Sequence, residues 1–243
     1  MALTQEQITA LPVAPSDTKA VAGKDTLLYI ASKQTPLTWL LVGGQKNSPL
    51  KEQADSLDGS DKSSGGWKKG IPGMKSWSIE YDGLYVLNDN AVDILRYSFR
   101  EGKAVYVRVE YPDGSYKQGW ANTTSFEDNN SSDAIQTLKV SLTGYGAISD
   151  LIAIGEVKIT SPTAAFSKAS AADKTVAVTP TDITIRTVTD DTGTVLVFGK
   201  DYEFAEGTLT LKKEYLKNMT VGNHVLEAKF AAKTIPITVN VTA

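Results

Sequence analysis

The chain has 243 residues, 41% of them apolar, with 25 basic and 28 acidic side chains and a net charge of −3. This composition excludes wholesale disorder and argues against a basic nucleic-acid grip. With no cysteine and a single histidine, His224, thiol catalysis, disulfides and Cys- or His-rich metal centres are also excluded. No apolar run approaches the ~18 residues of a membrane span, and Met1–Glu6 has neither the basic nor the apolar region of a signal peptide, so neither membrane insertion nor export is expected.

Thr26–Ala31 and Leu37–Val42 are apolar enough to be buried strands. Gly43–Gly73 breaks the pattern: its 31 residues hold seven Gly, five Ser and nine charges, and it is expected to be a long irregular loop. Trp67 and Ile71 within it gain nothing from water, which favours an arm that orders against a partner. The candidate assembly contacts are Leu50, Lys51, Glu52, Asp58, Asp61, Trp67, Lys68, Lys69 and Ile71.

Lys75–Tyr81 alternates Trp77, Ile79 and Tyr81 against polar residues. Asn90–Glu101 is the one stretch of helical character in the first half. Asn90 can cap its orphan amides and Asp93 sits near the positive end of the dipole. Ala91, Ile94, Leu95, Ser98 and Phe99 form an apolar stripe, and Gly102 supplies the left-handed stop. Lys103–Tyr111 places Val105, Val107 and Val109 on one face and Tyr106, Arg108 and Glu110 on the other. Pro112-Asp113-Gly114 turns the chain, and Tyr116–Phe126 returns as a hairpin partner. Trp77 and Trp120 are expected in the core. Glu127–Asp133 is an exposed tip, and Ile135–Leu142 a further strand.

A boundary is expected near Ile154-Gly155. Residues 1–150 carry 15 basic and 18 acidic side chains, and residues 151–243 carry 10 of each. The second part begins its β pattern at Val157–Ile159. Strands are expected at Thr175–Val178, Asp182–Thr187, Val195–Phe198, Thr208–Lys212, His224–Phe230 and Lys233–Val241, the size and rhythm of an immunoglobulin-like sandwich.

No nucleotide, zinc-protease or nucleophile-elbow motif occurs. His224 lies on a plain alternating strand. Asp58-Gly59-Ser60-Asp61 looks like a calcium loop without the further oxygen ligands. Tyr202, Phe204 and Tyr215 are candidate glycan contacts, with a sandwich core as the simpler reading. No catalytic, cofactor or metal residue is singled out. Two β domains, a long arm and no active site favour assembly or binding over catalysis.

Four strings in order carry a family resemblance: Gly23-Lys24-Asp25-Thr26-Leu27-Leu28-Tyr29-Ile30; Gly65-Gly66-Trp67; Ile71-Pro72-Gly73-Met74-Lys75-Ser76-Trp77-Ser78-Ile79; and, after the helix and hairpin, Leu138-Lys139-Val140-Ser141-Leu142-Thr143-Gly144-Tyr145-Gly146. The first part of the chain resembles the major tail tube proteins of long-tailed, non-contractile bacterial viruses. Ile159–Phe166, Gly199–Phe204 and Thr208–Leu216 resemble an X2-type immunoglobulin-like module. The resemblance implies a mainly β chain. A tail-tube β-sandwich or β-barrel-like domain with one flanking α-helix would span 1–153, and an immunoglobulin-like β-sandwich 155–243.

The resemblance further implies a structural virion protein and no enzyme or cofactor. Six copies would form a ring, and rings would stack into a tube that conducts DNA without binding it specifically. The arms 1–22 and 43–73 would bridge subunits. Tape measure, tail terminator and distal tail proteins would be partners. The second domain would decorate the exterior, with weak contact to host-surface glycan. Assembly would occur in the bacterial cytoplasm, ending in the virion tail. The alternative is a secreted two-domain carbohydrate-binding protein, which would need an export signal.

Overall fold

A computed structural model describes residues 23–231 and 233–243. The expected arm at 1–22 lies outside the described residues. The chain is mainly β. Its first half comprises β1 (Leu27–Gln34), β2 (Leu37–Leu41), β3 (Gln45–Asn47), β4 (Leu50–Asp58), β5 (Gly70–Leu84), α1 (Asn90–Glu101), β6 (Val105–Glu110), β7 (Tyr116–Asn129) and β8 (Thr137–Gly144). The strands form one eight-stranded sheet in the order β2-β1-β6-β7-β8-β5-β3, with β4 also paired to β5.

The sheet curls about β7. Tyr116–Ala121 pairs with β6 on one side, and Ala121–Asn129 pairs with β8 on the other. Apolar residues alternate along β6 and β8, so Val107, Leu138, Val140 and Leu142 reach one shared core with Leu28, Ile30 and Ile79. The curl nearly closes. The Gln45 amide of β3 accepts from Leu28 N and donates to Leu28 O of β1, each at 2.9 Å.

The helix has the expected span and a different cap. Asp89, one residue before Asn90, accepts from Ala91 N at 2.8 Å, while its other oxygen accepts from Gly43 N at 2.7 Å. Asp89 therefore holds both the helix start and the turn after β2, which Asn90 inside the helix could not do. Gly102 is left-handed, with φ 60°. Ala91, Val92, Leu95 and Ser98 face the core, whereas Phe99 is exposed. Trp77 is buried, its indole N–H donating to Gly146 O at 2.9 Å. A Cβ on Gly144 would lie 2.3 Å from that indole. The two most distinctive strings of the sequence thus meet in space.

Two expectations fail here. Gly43–Gly73 is mostly β structure rather than a loop: β4 and β5 form a long hairpin. Eight of the nine β4 residues are exposed, so no apolar alternation marked the strand. Trp120 is half exposed, because it lies on the outer face of β7, stacked on Tyr106 at 5.0 Å.

The second half contains β9 (Lys158–Ile159), β10 (Thr163–Ser167), β11 (Lys174–Thr179), β12 (Thr187–Thr189), β13 (Tyr202–Ala205), β14 (Thr208–Leu211), α2 (Lys213–Asn218), β15 (Gly222–Lys229) and β16 (Thr234–Thr242). Two four-stranded sheets, β10-β16-β15-β12 and β13-β14-β11-β9, enclose a core that includes Phe166, Leu209, Leu211, Leu226 and Val239. β10 joins its sheet in parallel with β16. Of the expected strand Asp182–Thr187 only Thr187 enters a ladder, as the first residue of β12, and Val195–Phe198 forms only isolated bridges at Val195 and Phe198. Among the described residues no helix is long and apolar enough to cross a membrane.

Candidate assembly surfaces

The β4–β5 hairpin projects from the curled sheet. Its stem pairs Leu50 with Ile79 and Glu52 with Trp77, and its outer part pairs Leu57 with Ile71 and Asp58 with Gly70. The turn is built from serine and aspartate. Asp58 accepts from Ser60 N at 2.9 Å, Asp61 from Ser63 N at 2.8 Å, and Lys69 N donates to Ser60 Oγ at 2.7 Å. Bonds from Ser60 and Ser63 hold the Asp58 and Asp61 carboxyls below their ordinary range. Lys68 is 4.0 Å from Asp58, an exposed and weak pair. At the stem, Glu52 is paired with Lys117 of β7.

The hairpin brings most expected contacts onto one projection. Leu50 packs against the core edge; Lys51, Glu52, Asp58, Asp61, Lys68 and Lys69 are exposed. Leu57, Trp67, Ile71 and Met74 are exposed apolar side chains, Trp67 at 84%. Leu57 and Ile71 share one face of the hairpin, Met74 lies at its register shift and Trp67 stands at the turn; exposed apolar groups gathered on one projection are a feature of interaction surfaces. Sequence reasoning missed Leu57 and Met74, whose exposure follows from the β pairing.

β4, β5, β8 and the far half of β7 share an outward face. Ser78 pairs with Thr143, Glu80 with Ser141 and Asp82 with Lys139, while Ser125 and Glu127 of β7 meet Ser141 and Lys139. Lys51 and Gln53 of β4 continue the face opposite Ser78 and Ser76. It is rich in hydroxyls, with Lys51 and Lys139 against Glu80, Asp82 and Glu127. Beyond Ala121, β7 has a strand on one side only among the described residues, and β4 pairs only with β5. Both edges of this polar sheet are therefore open among the described residues.

A second surface is internal. The outer face of β1 and β6 meets residues 182–186. Glu110 is buried, accepts from the Thr184 hydroxyl, and takes Arg186 Nε and Nη2 at 3.4 Å. Arg186 also donates to Asp25 O at 3.0 Å. Arg108 donates to Asp182 O at 2.7 Å and to Gln118, with its guanidinium between Tyr116 (3.8 Å) and Trp39 (4.4 Å). Tyr116 donates to the Asp182 carboxylate at 2.7 Å. The Tyr29 hydroxyl, beside Thr184 and Arg186, makes no hydrogen bond of ordinary geometry.

Burial pushes the Glu110 carboxyl up and the Arg108 guanidinium down, and raises Tyr116 to about 12, helped by its bond to Asp182. The connecting segment is itself fastened: Ser149 N donates to Gln118 O, and Ile152 pairs with Tyr116, all at 2.9 Å. In sequence Arg108 and Glu110 were placed only on the strand face opposite the valines. What covers them lies 74 to 76 residues away.

In the second domain Tyr202 and Phe204 are buried at 3% and 4%, in the sandwich core. Neither ring offers a face to a glycan, which corrects their candidacy. Tyr215 is half-buried. His224 donates to the Asp191 carboxylate at 2.7 Å and to Thr220 O at 3.0 Å; Asp191, then Thr220, raise its pKa above the ordinary value. Among the described residues no cluster of three metal-ligating side chains occurs.

Among the described residues, then, the first half is a curled β unit with two open sheet edges and a projecting, apolar-tipped hairpin. A family model described as phage tail tube protein matches residues 20–150, and one described as carbohydrate binding domain X2 matches residues 159–241. The chain belongs to the phage tail tube protein family, and is a structural component of the virion tail and not an enzyme. No curated protein matches it. Among solved structures, the tail of an empty gene transfer agent particle, refined with C6 symmetry, is 26% identical with a TM-score of 0.48, over 54% of this chain and 98% of that one. The virion of the native gene transfer agent is 24% identical, TM-score 0.47, over 55% and 100%. The SPP1 tail tube is 16% identical, TM-score 0.46, over 52% and 77%.

Proposed function

We propose that copies of the chain close into a ring by pairing β4 of one copy with Asn122–Asn129 of β7 in the next, and that stacked rings form the conduit for DNA. The observation that carries this reading is the pair of open edges on one polar four-stranded sheet. β7, β8, β5 and β4 alternate in direction, so the next copy's β7 continues the antiparallel pattern and removes two exposed edges at once. Six copies per ring is the number the resemblance implies. The hairpin tip, with Leu57, Trp67 and Ile71, reaches a neighbouring subunit and is covered there, and residues 1–22 serve as a second bridge.

The hydroxyl-rich face lines the lumen in this reading. Its two lysines and three acids leave one net negative charge per copy, so phosphate finds little to hold. Tape measure, terminator and distal tail proteins are partners of the tube, and assembly takes place in the bacterial cytoplasm. The chain divides near Ile154, and 155–243 decorate the exterior. Of the three aromatics expected to meet a glycan, only Tyr215 keeps exposed surface, which supports spacing more than adhesion.

The natural absence of cysteine makes the test clean. Gln53→Cys with Ser125→Cys, oxidised after assembly, is expected to give a covalent ladder ending at six. A ladder stopping at two, or none from assembled tubes, would contradict this edge pairing.

A further inference from the structure

We infer that the second domain is a built-in guard of the β2 edge, confining lateral strand pairing to the other edges of the sheet. β2 ends the eight-stranded sheet, and an uncovered edge is a template for indiscriminate strand addition. Here it is covered. β13 packs against β2, and the turn after β13 brings Glu206 to the outward amide of Leu37, which donates to Oε1 at 3.2 Å. β4, by contrast, is exposed along nearly its whole length.

Turn chemistry singles Glu206 out. Glu206-Gly207 is the two-residue turn between β13 and β14, with φ of 46° and 70°. Turns with both φ positive favour Asn-Gly or Asp-Gly, and a longer side chain in the left-handed region is strained. Reach accounts for the glutamate: its extra methylene carries the carboxylate across to β2. The guard is held in place from elsewhere, by Glu110 with Arg186 and by Ile152 paired to Tyr116. Sequence order alone gives a tethered appendage; the fastened linker and buried seam make the domain part of the protomer.

The consequence for assembly rests on the ring proposed above, but the guard is a property of the monomer and is tested there. Residue-resolved amide exchange would compare the full wild-type chain with Glu206→Asn. Asparagine suits the turn and is too short to reach β2. The expected result is unchanged protection across Tyr202–Leu211 and roughly tenfold faster exchange at Leu37. Arg186→Met should release the whole edge, with faster exchange over Leu37–Leu41 and non-tubular association that grows with concentration. The inference is overturned if wild-type Leu37 exchanges as fast as the outward amides of β4, or if Glu206→Asn leaves it unchanged. The wild-type contrast and the Asn variant decide the matter even where Arg186→Met fails to fold. A protected β2 without rings would overturn the ring reading alone.

Discussion

Replacing Arg186 with methionine removes the cation that neutralises Glu110 while keeping most of the apolar stem. Glu110 has a side chain only 3% exposed, and it would be left with the Thr184 hydroxyl as its hydrogen-bond partner and Arg108, without a direct bond, as the nearby cation. Breaking a buried pair from one side costs about 3–5 kcal/mol, because the remaining charge stays desolvated. The sign of the pH dependence follows from burial. Burial already raises the Glu110 carboxyl above its ordinary 4.5, and loss of Arg186 raises it further. Between the unfolded value and that raised value the folded state binds more protons than the unfolded state, so stability falls as pH rises through this window. The variant should therefore lose most stability at pH 8 and recover much of it toward pH 5. Glu110→Gln combined with Arg186→Met should recover most of it at both. Urea unfolding of the full chain, followed by tryptophan fluorescence and circular dichroism, reads this directly. A variant within about 0.5 kcal/mol of wild type at pH 8, or one equally destabilised at both pH values, would refute the buried-pair account.

Trp67→Ala removes a solvated indole, so it should change monomer stability by no more than ~0.5 kcal/mol while raising the concentration needed for tubes; turbidity and electron microscopy read the second effect. Amides 50–70 should gain protection on assembly, with equal exchange in monomer and tube counting against a bridging hairpin. His224 has a folded pKa raised by Asp191 and Thr220, so its small stabilisation is fully present below ~6.5 and is lost as pH rises through the folded value. Thermal melts from pH 6 to 9 should lose that slope in His224→Gln, by at most ~0.5 kcal/mol for so exposed a pair. Assembled tubes should show negligible duplex-DNA affinity at physiological salt, and tight binding that weakens steeply with salt would refute the proposed lumen.

The legible parts of the fold are those whose signal is local. Val105, Val107 and Val109 announced a half-buried strand, and Gly102 ended the helix as a left-handed residue must. The string holding Trp77 and the string holding Gly144 and Gly146 were read separately, yet one indole, packed on Gly144 and bonded to Gly146 O, joins them. The hairpin was read as a loop because β4 buries neither face and so carries no period. The cap was misplaced by one residue because Asp89 and Asn90 are both cap formers; what decides is that Asp89 also binds Gly43, 46 residues earlier. The seam was illegible for a related reason. Arg108 and Glu110 alternate with valines as solvated residues do, and only the tertiary arrival of Thr184 and Arg186 buries them. Tyr202 and Phe204 alternate equally well as core or as platform; the opposing sheet makes them core.

A helical reconstruction of tubes assembled from the full chain would show which strand edges meet between copies. The expected result is β4 of each copy hydrogen-bonded to Asn122–Asn129 of its neighbour, Lys51, Ser78, Glu80 and Ser141 facing the lumen, and residues 155–243 outside. A ring closed through β2, or a lumen lined by Lys and Arg from another face, would contradict it.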